Sequence, residues 1–144
     1  MSPYYENLRN RIGASLILIP CVAGIVRDRA GRLLLQRKQD GTWSLPAGAI
    51  EPDETPQEAM NRELAEETGL HAAELSLVGC FGGAEFRYTY PNGHAAEYVI
   101  LLFHCSGCTE RSTPLDPETV ELRFFSAEEF PGLALPYPFD LLYP

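Results

Sequence analysis

The stretch from Gly48 to Leu70, GAIEPDETPQEAMNRELAEETGL, constrains this chain more than any other, because it sets a dense run of carboxylates around a well-marked helix start. Thr55 followed by Glu58 forms a capping box, and Pro56 falls at the first helical position, where its missing N–H costs nothing. Gly69 closes the helix as a left-handed cap. At ~100° per residue, Met60 and Leu64 share one apolar stripe, while Glu63, Glu66 and Glu67 fall in an adjoining arc. Three acids therefore meet beside a buried edge.

Like charges one turn apart repel by a few tenths of a kcal/mol on an exposed helix, and by more beside a wall that excludes water. Arg62, one turn from both Glu58 and Glu66, offsets part of this at surface-pair strength, but one guanidinium does not neutralise the cluster. A divalent cation does. All-oxygen clusters select hard ions, so Mg²⁺, or Mn²⁺ in its place, is the expected partner, with water and substrate phosphates completing its shell. A pair such as Glu66-Glu67 is ordinarily a solvated helix face; here the glycine, the caps and the arginine all stand in register with it, which argues for the metal.

Gly48, Glu54 and the run Arg62-Glu63-Leu64-Ala65-Glu66-Glu67-Thr68-Gly69-Leu70 resemble, at every fixed position, the Nudix box of the Nudix (MutT-like) hydrolases. The resemblance implies a Nudix-type α/β/α sandwich with a mixed β-sheet and a loop–helix–loop. It also implies Mg²⁺-dependent cleavage of the diphosphate linkage in a nucleoside diphosphate joined to another group: a nucleoside triphosphate, a dinucleoside polyphosphate or a nucleotide sugar. On it, Glu63, Glu66 and Glu67 are metal ligands with the Ala47 carbonyl, while Arg62 and Glu54 support the cluster and the loop. Glu121, before the last helix, resembles the late glutamate that serves as base in several relatives, with Glu97 as the alternative. Arg37, Phe81, Arg87 and Tyr88 are expected to line the nucleotide pocket, and a homodimer is common in the family. The departures are small: Ala47 stands where a second glycine is common, which a carbonyl ligand tolerates, and Asp53 stands where glycine is frequent, which asparate-type left-handed backbone accommodates. The alternative function is a nucleotide-sensing module that keeps the fold without hydrolysis.

At 144 residues and 45% hydrophobic content, a single domain over 1–144 with one sizeable core is expected. A net charge of −9, with only 11 Lys and Arg, argues against a polymeric nucleic acid lying across a broad surface but not against a small nucleotide met through metal. Leu16 to Ile19 is cut short by Pro20, no apolar run reaches membrane-spanning length, and no secretory signal is read, so cytoplasm is the default expectation. Cys105-Ser-Gly-Cys108 lacks a second pair of donors for zinc, and strand-end thiols are expected.

Along the rest of the chain, Tyr4 to Arg11 reads as a short helix ending at Gly13, with Tyr4 and Leu8 on one side and Tyr5 as a further candidate for it. Cys21 to Arg27 and Arg32 to Gln36 read as a hairpin around an Asp28–Gly31 turn, with Pro20 a break or an edge. Their continuous apolar runs predict a sheet covered on both faces. Trp43 is expected in the core. Leu75 to Phe81, Glu85 to Tyr90 and Tyr98 to Cys105 form an antiparallel set, with Phe86, Tyr88 and Tyr90 on one face, and Ser106 to Thr119 reads as loop. Val120 to Phe125 is a strand, Ser126 to Glu129 a second capping box, and the proline-rich end a packed tail with about one helical turn at Phe139 to Tyr143.

Overall fold

The computed structural model describes residues 2–111 and 116–144. Eight strands form two sheets. In the larger, β4 (Ala47–Ala49), β1 (Ile17–Ile25), β7 (Ala95–Glu110) and β5 (Leu70–Phe81) lie in that order, and β6 (Arg87–Thr89) joins β7 beside β5. The smaller sheet has the order β3 (Trp43–Ser44), β2 (Leu33–Lys38), β8 (Thr119–Phe125). β1 and β7 are parallel and every other pairing is antiparallel, so the large sheet is mixed.

The expected cover on both faces of β1 is present from Cys21 onward, while Leu18 and Pro20 are exposed. Ile17, Ile19, Cys21, Ala23 and Ile25 point into one core, against Tyr5 of helix α1 (Pro3–Ile12), β2 and the C-terminal segment. Val22 points into a second core with Ala59, Met60 and Leu64 of helix α2 (Pro56–Thr68). Helix α2 begins with the reciprocal Thr55–Glu58 capping box and ends at Gly69 with φ 73°, as its sequence dictates. Asp53 adopts φ 68°, the left-handed backbone its side chain tolerates.

Several elements differ from the sequence reading. The Asp28–Gly31 turn forms, with the Gly31 N–H bonded to the Asp28 carbonyl, but its two arms diverge into different sheets after a single bridge between Arg27 and Leu33. Pro20 does not interrupt β1: Pro20, Val22 and Gly24 face β4, whose ladder ends where the Pro20 carbonyl accepts from the Ile50 N–H, so the missing donor lies past the last pairing. On α1 the buried side chains are Tyr5 and Arg9, while Tyr4 is exposed. β7 runs on through Ser106 to Glu110, pairing with an equally extended β5, so Cys105 and Cys108 lie within a strand and not at its end; part of the expected loop, 112–115, lies outside the described residues. Residues Ala84–Phe86 form a 3-10 turn instead of strand, and Phe86 is buried against Phe81 and Tyr137. Trp43 packs edge-on against Phe125 with the Arg123 guanidinium over its ring. The Ser126 capping box closes a 3-10 turn, and helix α3 (Phe139–Leu142) is the one turn expected of the tail.

Leu64 is fully buried between α2 and the large sheet. Leu64→Ala is expected to destabilise the fold by about 2–5 kcal/mol, read from urea unfolding, since it leaves a cavity in a close-packed layer.

Candidate active site

Strand β4 and helix α2 build the site together. In an antiparallel strand, alternate residues turn both backbone groups toward the partner strand, and those between turn both away. The pairing of Val22 with Gly48, flanked by the bonds Gly24 N–H to Pro46 and Ile50 N–H to Pro20, leaves Ala47 and Ala49 facing away from β1. They face α2: the Ala47 N–H donates to Glu67 Oε1 at 2.8 Å, and the Ala49 carbonyl accepts from Arg62 Nη2 at 3.0 Å. The Ala47 carbonyl shares the direction of its N–H, so it lies on the side where the box carboxylates stand.

Gly48 is what lets the Glu63 carboxylate lie against β4. A Cβ there would sit 2.1 Å from the Glu63 carboxyl carbon, inside any tolerable contact. Glu63 therefore rests on bare backbone, with its carboxylate bonded to Arg62 Nη1 at 2.7 Å. Burial and the neighbouring Glu67 together push the Glu63 carboxyl up to about 7, against the pull of Arg62. Glu67 is 3% exposed. Burial raises its carboxyl too, opposed by Lys38 Nζ at 3.0 Å, by the Gln36 amide and by the Ala47 N–H. Burial alone would lower the Lys38 ammonium, but Glu67, with Glu118 and Asp116 near, leaves it raised. Glu66, by contrast, is half-exposed, 3.5 Å from Arg62.

Arg62 is the hub of the outer side. Its Nε and Nη2 grip both oxygens of Glu54 at 2.6 and 2.9 Å, holding the Glu54 carboxyl below its usual range, and Glu54 in turn accepts from the Glu51 N–H. The sequence pointed to Glu58 or Glu66 as its partner; Glu58 is instead spent on the capping box.

A cleft of about 780 Å³ opens in front of this cluster, walled by Lys38, Ala47, Gly48, Arg62, Glu63, Glu66 and Glu67 on one side and Tyr90, Tyr98 and Tyr137 on another. A second hollow of about 430 Å³ adjoins it and adds Tyr88 and Ser44. Of the expected pocket residues, Tyr88 is brought to this wall. Phe81 stacks in the core on Phe86, and Arg87 pairs with Glu97 at 2.7 Å. Arg37 pairs with Glu121 at 3.2 Å across β2 and β8, and neither lines the cleft; the late acids that do are Asp116 and Glu118. The sequence reading also passed over Gln36 and Lys38. Strand alternation carries a signal for them, since Leu34, Gln36 and Lys38 fall on the face of β2 that looks toward α2.

No three acidic, histidine or cysteine side chains among the described residues stand gathered as a finished metal site. The donor set nevertheless fits a hard divalent ion: three carboxylates and a carbonyl, all oxygen, two of the acids buried and held against their own repulsion. The protein's own cations, Arg62 and Lys38, pair with Glu63 and Glu67.

The NUDIX domain model matches residues 18–141, and the chain belongs to the Nudix family. A MutT-like protein of Streptomyces ambofaciens is 39% identical over 95 residues, 64% of this chain and 55% of that protein. An RNA pyrophosphohydrolase of Pseudomonas fluorescens is 40% identical over 73 residues, 50% of this chain and 45% of its own length. The chain thus spans about half the length of the curated relatives it matches. Among solved structures, a MutT Nudix hydrolase from Burkholderia pseudomallei superposes with a TM-score of 0.65 at 21% identity, covering 81% of this chain and 88% of the other. An ADP-ribose pyrophosphatase from Streptococcus suis gives 0.59 at 24% identity, covering 81% and 80%. These likenesses show the α/β fold. No helix among the described residues is long and apolar enough to cross a membrane.

Two measurements test the site. Gly48→Ala is expected to push Glu63 off β4 and to weaken Mg²⁺ binding in calorimetry by roughly tenfold or more, a loss of one charged ligand's worth. In the metal-free protein, Glu63 and Glu67 have folded-state values above their unfolded ones, so the folded state holds its protons longer. Their contribution to stability is then fully present below the unfolded value of 4.5 and is lost as pH rises, through about 7 for Glu63, whereas Glu54, held below its usual range, loses its own contribution as pH falls. The melting temperature in chelator should follow that slope, and Mg²⁺ added at pH 8 should restore what was lost.

Proposed function

We propose that this protein is a Mg²⁺-dependent Nudix pyrophosphohydrolase that cuts the diphosphate linkage of a small nucleotide. The observation that carries this reading is the pair of buried, proton-retaining carboxylates Glu63 and Glu67, set over the side-chain-free backbone of Gly48 and facing a nucleotide-sized cleft. The names of the relatives, an RNA pyrophosphohydrolase and an ADP-ribose pyrophosphatase among them, support hydrolysis of a P–O–P linkage as the chemistry.

The residues that would hold the ion are Glu63, Glu66, Glu67 and the Ala47 carbonyl. Bound there, it would neutralise the charge that builds on the phosphoryl oxygens as the linkage breaks. The chain's own groups do the rest. Arg62, braced by Glu54, fixes the Glu63 side of the cluster, and Lys38 with Gln36 fixes Glu67. Water attacks one phosphorus of the diphosphate and gives its proton to a carboxylate in the cleft, while the bridging oxygen leaves with the electron pair of the broken P–O bond on the departing phosphate. Glu118, on the cleft wall near Lys38, is favoured as that carboxylate over Glu121, which is engaged by Arg37 and Arg123. Tyr88, Tyr90, Tyr98 and Tyr137 offer ring faces and hydroxyls to the nucleoside.

Incubation with Mg²⁺ and a panel of nucleoside triphosphates, dinucleoside polyphosphates and nucleotide sugars should release phosphatase-sensitive products from at least one class. Glu67→Gln should lower that rate by ~10²-fold or more while the protein stays folded by circular dichroism. A nucleotide that raises the melting temperature without being consumed would point to a sensing module instead.

A further inference from the structure

Of the Asp, Glu, Lys and Arg side chains among the described residues, two are buried, Glu67 and Arg9. Glu67 has Lys38 as its counter-ion. Arg9, 6% exposed, has no ion-pair partner among the described residues. Its guanidinium is held by main chain alone: Nη1 donates to the carbonyls of Gly13 at 3.0 Å and Ser15 at 2.7 Å, and Nη2 to that of Ala95 at 2.9 Å. Nε is buried without a partner. Of the five N–H groups of a guanidinium, the Nε–H and one on Nη2 remain, and these two nitrogens share an edge suited to two-pronged recognition of a phosphate or carboxylate. A buried cation without a counter-charge is costly, and an unused buried donor adds to the cost.

Arg9 lines the same cleft as the Glu63–Glu67 cluster, with Ser2, Tyr5, Asn92 and His94 around it. Asn92 and His94 are bonded to one another across the turn that leads to Ala95, Arg9's own partner. Helix α1, which carries Arg9, precedes residues 18–141, so this donor is not part of what the chain shares with the family model.

We propose that Arg9 is a specificity-determining residue that receives a phosphoryl group of the substrate lying beyond the linkage to be cut. The assignment rests on the proposed function and narrows its substrate class. The second group of the nucleotide itself carries phosphate, as in a nucleoside triphosphate or a dinucleoside polyphosphate, and is not an uncharged sugar. An anion there supplies the counter-charge the fold withholds, and the three main-chain carbonyls keep the guanidinium positioned before it arrives.

The test has a metal-free arm and a kinetic arm. In chelator, the Arg9 Nε–H resonance of the wild-type protein, assigned through bonds from the α1 backbone, is followed during titration with inorganic phosphate. A saturable shift that sodium chloride at equal ionic strength does not reproduce is expected; no shift, or the same shift with chloride, overturns the proposal. With Mg²⁺, Arg9→Lys should raise KM for a nucleoside triphosphate or dinucleoside polyphosphate by roughly tenfold or more while leaving the inhibition constant of a nucleoside monophosphate, which lacks the group Arg9 receives, unchanged. Equal weakening of both would make Arg9 a structural tie and refute its role. Should no nucleotide be turned over at all, the hydrolase reading falls, and the phosphate titration still decides the fate of Arg9.

Discussion

The contact between Glu63 and the bare backbone of Gly48 is the constraint on which the site depends. With no side chain at Gly48, the Glu63 carboxylate lies directly on β4, against a wall that excludes water. Burial follows for Glu63 and Glu67, and with burial the reluctance of both to part with their protons. The same approach brings the Ala49 carbonyl within reach of Arg62 and the Ala47 N–H within reach of Glu67, so the strand and the helix are stitched by the very groups that define the cluster. Packing and electrostatics here are one arrangement.

Two cations flank that arrangement with different tasks. Arg62 uses its planar fork to grip Glu54, and so couples the loop before α2 to the helix itself. Lys38 reaches in from the end of β2, in the other sheet, to meet Glu67. The cluster therefore draws on both sheets, and its geometry depends on how they pack together.

What was legible in the sequence was local. The caps of α2, the apolar stripe of Met60 and Leu64, the left-handed Asp53 and the Ser126 box are written in residues a few positions apart, and each forms as its spacing dictates. What was not legible depends on partners far along the chain. The turn at Asp28–Gly31 reads as a hairpin because nothing nearby reveals that β1 prefers β7 and β2 prefers β8. Pro20 reads as a break because the early end of the β4 ladder is invisible locally. Lys38 sits in a polar run that looks like loop, and only the tertiary approach of Glu67 gives it a role. Glu121 resembled a familiar late acid, yet its strand register sets it opposite Arg37 and leaves Glu118 at the cleft. Tyr88 and Tyr90 were read with Phe86 as one aromatic face, but the 3-10 turn rotates Phe86 into the core and leaves the two tyrosines at the opening.

The parallel register of β1 on β7, Ile17 beside Ala96 through Ile25 beside His104, has a kinetic consequence. These central strands must find each other across most of the chain, and the loop so closed contains β4, α2 and β5. Loop-closure entropy opposes that encounter before any of its hydrogen bonds reward it, so folding is expected to be slow for a chain of this size. The capped helix, stable in its own right only marginally, gains its resting place when the two strands have met.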